Sequence, residues 1–319
     1  MKTLRIVFMG TPDFALPSLD LLYQSRHDLA AVVTQPDRPR GRGGCVTPPP
    51  VKKWAMAHGV AVLQPKRLLD ASFWNQLEQI KPDLVVTVAY GKMLPEKLLQ
   101  FPPLGCINLH ASLLPAYRGA APIHRAIMEG ATRTGVTVIE MVPEMDAGNI
   151  ILQEELPVHE DETAGELHDR LAVKGAALLL KAVEALAAGT AQSRPQDPAG
   201  VSYAPRLRPE DEVLDWSRDA LSLYNQIRGL NPWPGAYTNC AGKRLKVWRA
   251  RIPAQPPVLE GDGNAPPGTI ICDRSDALFV ITGTGPLELL EVQPDGKRIM
   301  SAAEFYCGRR FEPGARLGC

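Results

Sequence analysis

From Leu4 to about Gly148 the chain alternates short, apolar, β-rich runs with segments whose apolar residues recur at helical spacing. That alternation constrains the fold more than any other feature. The strand-like runs are LRIVFMG, LAAVVTQ, VAVLQP, DLVVTVAYG, GCINLH and GVTVIEM, and between them lie PDFALPSLDLLYQ, VKKWAMAHG, ASFWNQLEQI and APIHRAIMEG. Near-continuous apolar strands separated by helices imply parallel pairing with both sheet faces covered. The expected architecture is therefore α/β: an open, Rossmann-like, mostly parallel sheet with helices on both faces.

Beyond Gly148, NIILQEELPV reads as the second arm of a β-hairpin. Thr163 and Glu166 have the spacing of a capping box at the head of a long helix ending near Ala188. The stretch GTAQSRPQDPAGVSYAPRLRPED has neither period and is rich in Pro, Gly and polar residues, so it reads as an ordered connector or linker. From about Val213 one helix, ALSLYNQIRGL, precedes the turn NPWPGAY and the strands RLKVWRARI, TIICD, LFVITG and LELLEVQ. Such a set suggests a small, partly closed OB-like β-barrel, with a sandwich as the alternative. The expected domains are 1–189, a connector at 190–208, and 209–319.

Composition narrows the function class only slightly. Lys+Arg and Asp+Glu are equal at 35 each, so net charge announces neither a nucleic acid nor a membrane. The opening MKTLRIVFMG runs straight into a strand with no leader-like pattern, and no segment is long and apolar enough to span a bilayer, which together favour a cytoplasmic protein. Six scattered cysteines form no C-x-x-C pair and read as free thiols.

The chemistry concentrates in CINLHASLLPAYRGAAPIHRAI. In an open α/β sheet ligands gather at the carboxyl ends of the strands. Residues two apart on a strand share a face, so Asn108 and His110 present an amide and an imidazole together. Asp146, in VPEMDAGNI, falls at the tip of the predicted hairpin. A carboxylate beside His110 would fix its tautomer, favour the charged ring and relay a proton. Each piece has an ordinary alternative: a strand-end Asn and His satisfying loop groups, and an Asp favoured by the turn itself. There is no G-x-S-x-G elbow, no Cys/His signature and no metal-ligand spacing. Asn, His and Asp without a nucleophile can polarise a carbonyl, hold an oxyanion and shuttle a proton while the substrate brings its own nucleophile. That is acyl transfer to an external amine. A dinucleotide site fits poorly: MGTPDFALP lacks G-x-G-x-x-G, and Thr11 as N-cap, Pro12 at the first helical position and Asp13 near the helix start explain it better.

The motif N-L-H-x-S-L-L-P-x-x-R-G-x-x-P followed by D-x-G resembles the formyltransferases that use 10-formyltetrahydrofolate. The resemblance extends through MGTPDFALPSL, VVTQPDRPRGRG and VVTVAYGKMLP and resumes at LNPWPGAYT, so it covers nearly the whole chain. It is greatest to the branch that formylates the α-amino group of methionine on initiator tRNA. The resemblance implies Asn108, His110 and Asp146 as the catalytic set. It also implies Ser112, Leu113, Leu114 and Pro115 as folate contacts, with Ala89, Tyr90, Gly91 and Leu94 as the neighbouring wall of the pterin pocket. No metal is expected.

A nucleic-acid partner is suggested by two basic segments. DRPRGRGGCVTPPPVKK is long and polar for a βα connection, and reads as a mobile basic loop at the edge of the site. There Arg38, Arg40 and Arg42 could grip phosphates; in the family this loop reaches the first base pair of the initiator tRNA, with Arg42 at the matching position. Cys45 and Val46 occupy a part of the loop that is often basic in the family. KRLKVWRAR carries Lys243, Arg244, Lys246, Arg249 and Arg251 with no acid, alternating around Trp248, as a backbone-tracking strand would. A solvated loop and a solvated strand face are the ordinary alternatives. NPWPGAYT reads as a structural corner, His124 and Arg125 as helix-surface or satisfied polar groups, and Arg118 as an architectural or substrate-edge residue. The expected partners are the folate cosubstrate and the initiator methionyl-tRNA, with the protein a monomer. Competing readings are formylation of glycinamide ribonucleotide or of a nucleotide-linked amino sugar, hydrolysis of the formyl-folate, or a non-catalytic RNA-binding protein.

Overall fold

The computed structural model describes residues 2–40, 45–254, 265–272, 277–308 and 315–318, and of Arg40, Cys45 and Cys272 the backbone alone. The chain folds as two compact units. The first takes Met1–Pro122, Arg133–Pro157 and His168–Pro205; the second takes Ile123–Thr132, Val158–Leu167 and Arg206–Cys319. The divide is thus interleaved in sequence, because two short segments of the N-terminal half belong with the C-terminal unit.

The first unit is built on one seven-stranded sheet: β1 (Arg5–Gly10), β2 (Asp28–Val33), β3 (Ala61–Leu63), β4 (Leu84–Val88), β5 (Cys106–His110), β6 (Arg133–Glu140) and β7 (Ile150–Pro157). Its order is β7-β6-β5-β4-β1-β2-β3. Strands β5 to β3 run parallel, and β6 and β7 add an antiparallel edge. Helices α1 (Leu16–Gln24), α2 (Pro50–Ala57) and α3 (Ala71–Ile80) make the crossovers among β1 to β4. Strand order reverses between β1 and β4, so the loops leaving those strands diverge at the carboxyl edge and open a crevice there.

The two faces are read directly from the register. Val7, Met9, Val85 and Cys106 share one face and pack with Phe73, Trp74 and Leu77 of α3. Each fully buried side chain of this size contributes roughly 1.5–3 kcal/mol. Leu109 points the other way, against Gly175 of the long helix α4 (Ala164–Ala188), where an added Cβ would come within 2.7 Å of Leu109 Cδ2. Helices on both faces follow from strands that are apolar on both faces.

Two local expectations are corrected. Thr11 does not cap a helix: its hydroxyl donates to the Tyr90 carbonyl at 3.1 Å, and α1 begins at Leu16 after a 3₁₀ turn of Asp13–Ala15. The Tyr90 carbonyl, beyond the end of β4, also accepts from Gln35 Nε2 at 3.2 Å, and it outcompetes the local backbone for that hydroxyl. The basic segment is not simply a loop, since Arg38–Arg40 and Cys45–Thr47 pair as a short antiparallel hairpin.

The second unit is a curled antiparallel sheet. Its strands are β8 (Ala236–Cys240), β9 (Lys243–Arg251), β10 (Ile270–Cys272), β11 (Leu278–Thr282) and β12 (Gly285–Pro294), in the order β8-β9-β12-β11-β10, with Met300–Ser301 also on β12. Register breaks on either side of Arg249 bend β9, as bulges do. Trp216, Leu223, Ile227, Val247, Leu287 and Phe305 lie in its core, to which helix α5 (Ala220–Gly229) contributes Leu223 and Ile227. At the head of α4 the capping box forms as expected, with the Thr163 N–H donating to Glu166 Oε2 at 2.8 Å and the Glu166 N–H to Thr163 Oγ1 at 3.3 Å. Among the described residues, no helix is long and apolar enough to cross a membrane.

Candidate active site

Strand β5 delivers Asn108 and His110 to the carboxyl edge on the face that carries the α3 cluster, because both stand in even register with Cys106. Thr87 of β4 pairs with Asn108 across the ladder. The Thr87 hydroxyl is buried and lies 2.7 Å from Asn108 Oδ1. A hydroxyl that donates there fixes the amide with its NH₂ outward, and Asn108 Nδ2 has no partner among the described residues.

His110 is 6% exposed. Its Nε2 lies 2.9 Å from the Tyr117 carbonyl oxygen, and its Nδ1 lies 3.7 Å from Asp146 Oδ1. A carbonyl accepts only, so Nε2 carries a proton; only the doubly protonated ring then turns an N–H toward the carboxylate as well.

Asp146 sits between β6 and β7 with φ of 51°, a left-handed conformation that Asp tolerates better than most residues. Its Oδ2 accepts from the Gly119 N–H at 2.9 Å, which leaves Oδ1 for His110. The sequence motif and the hairpin tip, far apart in the chain, meet here.

The connector does more than join the two units' sequences. Ile150 and Arg194 exchange backbone hydrogen bonds, and Tyr203 and Ala204 pair in parallel with Arg118 and Gly119. The Tyr117 N–H donates to Ser202 Oγ at 2.9 Å. Gly119 has φ of 122°, and a Cβ there would stand 2.7 Å from the Ala204 carbonyl oxygen, so only glycine fits the approach. Gln196 reaches from the connector to Asp146 and Gly148 on one side and to Arg118 on the other. Thr87, Gln196 and Ser202 were not among the residues singled out by sequence. A lone Thr in an apolar strand and polar residues in a Pro-rich connector carry no periodic or motif signal.

The S-L-L-P loop is held by its own polar groups. Ser112 Oγ donates to the Ala116 carbonyl at 2.6 Å, and the Thr137 hydroxyl donates to the Ser112 carbonyl at 2.7 Å while accepting from the Leu114 N–H. Leu114 is buried with Ile139 and Ile150, Leu113 and Pro115 are half-buried, and the Leu114–Pro115 peptide is cis. Tyr90 and Leu94 belong to the α3 cluster, on the sheet face shared by Asn108, and Ala89 and Gly91 flank Tyr90 with φ of 48° and 82°. The Tyr90 hydroxyl is buried without a partner among the described residues, and burial pushes its pKa up to about 12. An open groove adjoins Leu94, lined also by Leu69, Asp70, Lys92 and Met93.

The basic residues are placed separately in each unit. In the first, Arg38 is exposed; the Arg40 side chain and all of Arg42 lie outside the described residues. In the second, Lys243, Arg244 and Arg249 are exposed on β9, and Arg244 stacks 3.9 Å over the Tyr237 ring. Lys246 is half-buried, donating to the Pro234 carbonyl at 2.7 Å and lying 5.1 Å over Trp248. Arg251 is bound in bidentate fashion by Glu288, which offsets its charge.

Comparison with known proteins identifies the family. Residues 4–183 match the Formyl transferase family and residues 206–310 match Formyl transferase, C-terminal domain. The chain is 52% identical over 316 residues to the Methionyl-tRNA formyltransferase of Moorella thermoacetica, covering 99% of this chain and 100% of that one. It is 46% identical to the Methionyl-tRNA formyltransferase of Bacillus subtilis, covering 98% of each. In fold it is similar to WlaRD, a sugar 3N-formyl transferase crystallised with dTDP and 5-N-formyl-THF, at a TM-score of 0.66, 16% identity, and coverage of 93% of this chain and 100% of that one.

Proposed function

The chain belongs to the formyl transferase family, and from that premise we propose that it transfers the formyl group of 10-formyltetrahydrofolate to the α-amino group of methionyl initiator tRNA. The observation that carries this reading is the convergence of Asn108, His110 and Asp146 at one strand end, with an amide N–H uncommitted and a ring facing a carboxylate. Such a donor set fits a formyl donor: it can bind a carbonyl oxygen that gains negative charge, and it demands that the attacking group come from the substrate. The donor supplies a formyl group on a leaving nitrogen. Asn108 Nδ2 and the His110 ring stabilise the developing oxyanion, and Asp146 holds the ring's charge and orientation and helps remove the proton of the attacking amine.

On this reading Ser112 to Pro115, with Ala89, Tyr90, Gly91 and Leu94, form the folate site. Arg38, Arg40 and Arg42, and on the second unit Lys243, Arg244, Lys246 and Arg249, contact tRNA. The exposed Arg244 over Tyr237 supports the second assignment, since a stacked cation beside an aromatic surface suits a nucleic-acid backbone. Residues 1–189 are the catalytic domain, 190–208 the connector and 209–319 the tRNA-binding domain. The enzyme works in the cytoplasm as a monomer.

The test is transfer of labelled formyl from 10-formyltetrahydrofolate to charged initiator tRNA, with charged elongator tRNA and an amino-sugar nucleotide as parallel acceptors. Label on the initiator tRNA alone is the expected result. Label on the sugar, or release of free formate with neither acceptor labelled, refutes the substrate assignment while keeping the catalytic set.

A further inference from the structure

Gln196 lies in the Pro-rich connector, yet its side-chain amide is saturated by the candidate site. Nε2 donates to the Asp146 carbonyl at 2.7 Å and to the Gly148 carbonyl at 2.8 Å. Oε1 accepts from Arg118 Nε at 3.1 Å and Nη2 at 2.6 Å. An amide has two N–H donors and one oxygen with two lone pairs, so all four positions are used. Among the described residues no carboxylate lies within ion-pair distance of Arg118, and Gln196 Oε1 is the acceptor of its fork. A guanidinium on the oxygen draws electron density from the amide and strengthens the two bonds that its N–H groups donate.

Those bonds fall where the backbone is least free to choose its own conformation. Asp146 is left-handed, which is uphill for a residue with a Cβ. Gly148 admits no side chain, because an added Cβ would stand 1.7 Å from the Glu140 carbonyl oxygen. With the Asp146 carbonyl tied to Gln196 and Oδ2 tied to the Gly119 N–H, one freedom of the carboxylate remains, and it is resolved toward His110 Nδ1.

We propose that Gln196, anchored by Arg118, is a positioning residue that holds Asp146 in the orientation facing His110. The inference rests on the functional reading above for its assay, though not for its geometry. In formyl transfer, Gln196→Ala lowers kcat by about tenfold to a hundredfold, as misplacement of a catalytic group does, and leaves KM for folate and tRNA within about twofold. In an Asp146→Asn background the same substitution lowers kcat by less than about twofold, because Gln196 acts through that carboxylate. Gln196→Glu keeps acceptors for Arg118 but loses both donors, and falls with Gln196→Ala; it serves as the readout if the alanine variant does not fold. Multiplicative losses in the double variant, a loss confined to KM, or a Gln196→Glu enzyme with wild-type kcat overturns the proposal. If the wild-type protein transfers no formyl group, the functional reading fails, and the ¹⁵N resonances of the His110 ring decide the inference. They move in Gln196→Ala in the same direction as in Asp146→Asn, or the proposal falls.

Discussion

Replacing Asp146 by Asn removes one charge and little else. The two side chains are nearly isosteric, and an amide oxygen can still accept from the Gly119 N–H now held at 2.9 Å. What is lost is the attraction the carboxylate exerts, across 3.7 Å, on a ring that gains its proton during the reaction. At an effective dielectric constant near 20 that attraction is at most about 4.5 kcal/mol. The side chains are 7% and 15% exposed, so water reaches the carboxylate edge and the working figure is about 2–3 kcal/mol. If the charged ring is needed when negative charge develops on the formyl oxygen, kcat falls by about 30-fold to 150-fold. KM for both substrates and the thermal midpoint stay near wild-type values, because no binding contact or packed volume changes. Single-turnover transfer at saturating folate and tRNA measures the chemical step directly. A rate within about threefold of wild type, or a loss seen only in KM, refutes the electrostatic role assigned to Asp146.

Further outcomes follow from neighbouring contacts. Thr87→Val keeps the buried shape but takes away the partner of Asn108 Oδ1; a lost hydrogen bond of about 1–1.5 kcal/mol appears as a roughly fivefold to tenfold fall in kcat with little change in KM, and an unchanged kcat shows that Thr87 does not set the amide's orientation. Gly148→Ala forces a Cβ into the Glu140 carbonyl and destabilises by at least about 2 kcal/mol, read as a lower urea midpoint together with lost activity. Thr163→Ala removes the cap of α4 and costs about 1 kcal/mol near neutral pH. The backbone and hydroxyl of Thr163 hold the Glu166 pKa below its usual 4.5, so this stabilisation is present above pH 4.5 and is lost as pH falls through the lowered value. The part carried by the Thr163 hydroxyl on the Glu166 carboxylate is what acid removes, while the Glu166 N–H to Thr163 Oγ1 bond remains. Urea melts of the two proteins should therefore draw closer in acid, and a difference that is constant with pH rules out the ionised contact.

How much of this was legible depended on whether the information was periodic. The alternation of β4 and β5 with helices gave the parallel sheet, and the two-residue spacing gave Asn108 and His110 a common face, because strand geometry repeats every second residue whatever the tertiary context. Thr163 and Glu166 were legible for the same reason, as a cap is written within four consecutive residues. Thr11 was misread because its hydroxyl answers to Tyr90, a partner seventy-nine positions away. The connector was read as ordered, but not as part of the site, because its function lies in single polar atoms meeting distant backbone groups. Gln196 to Asp146, Ser202 to Tyr117 and Ala204 against Gly119 are all contacts of this type. A Pro-rich stretch with only a 3₁₀ turn at Pro198–Gly200 and a two-residue strand at Tyr203–Ala204 has most of its side chains and carbonyls to lend to its neighbours. Its composition, read as the mark of a linker, equally suits a strap that must follow another loop's irregular backbone. The left-handed Asp146 and the glycine-only approach at Gly119 are where that strap is needed, since neither conformation is one the local sequence favours by itself.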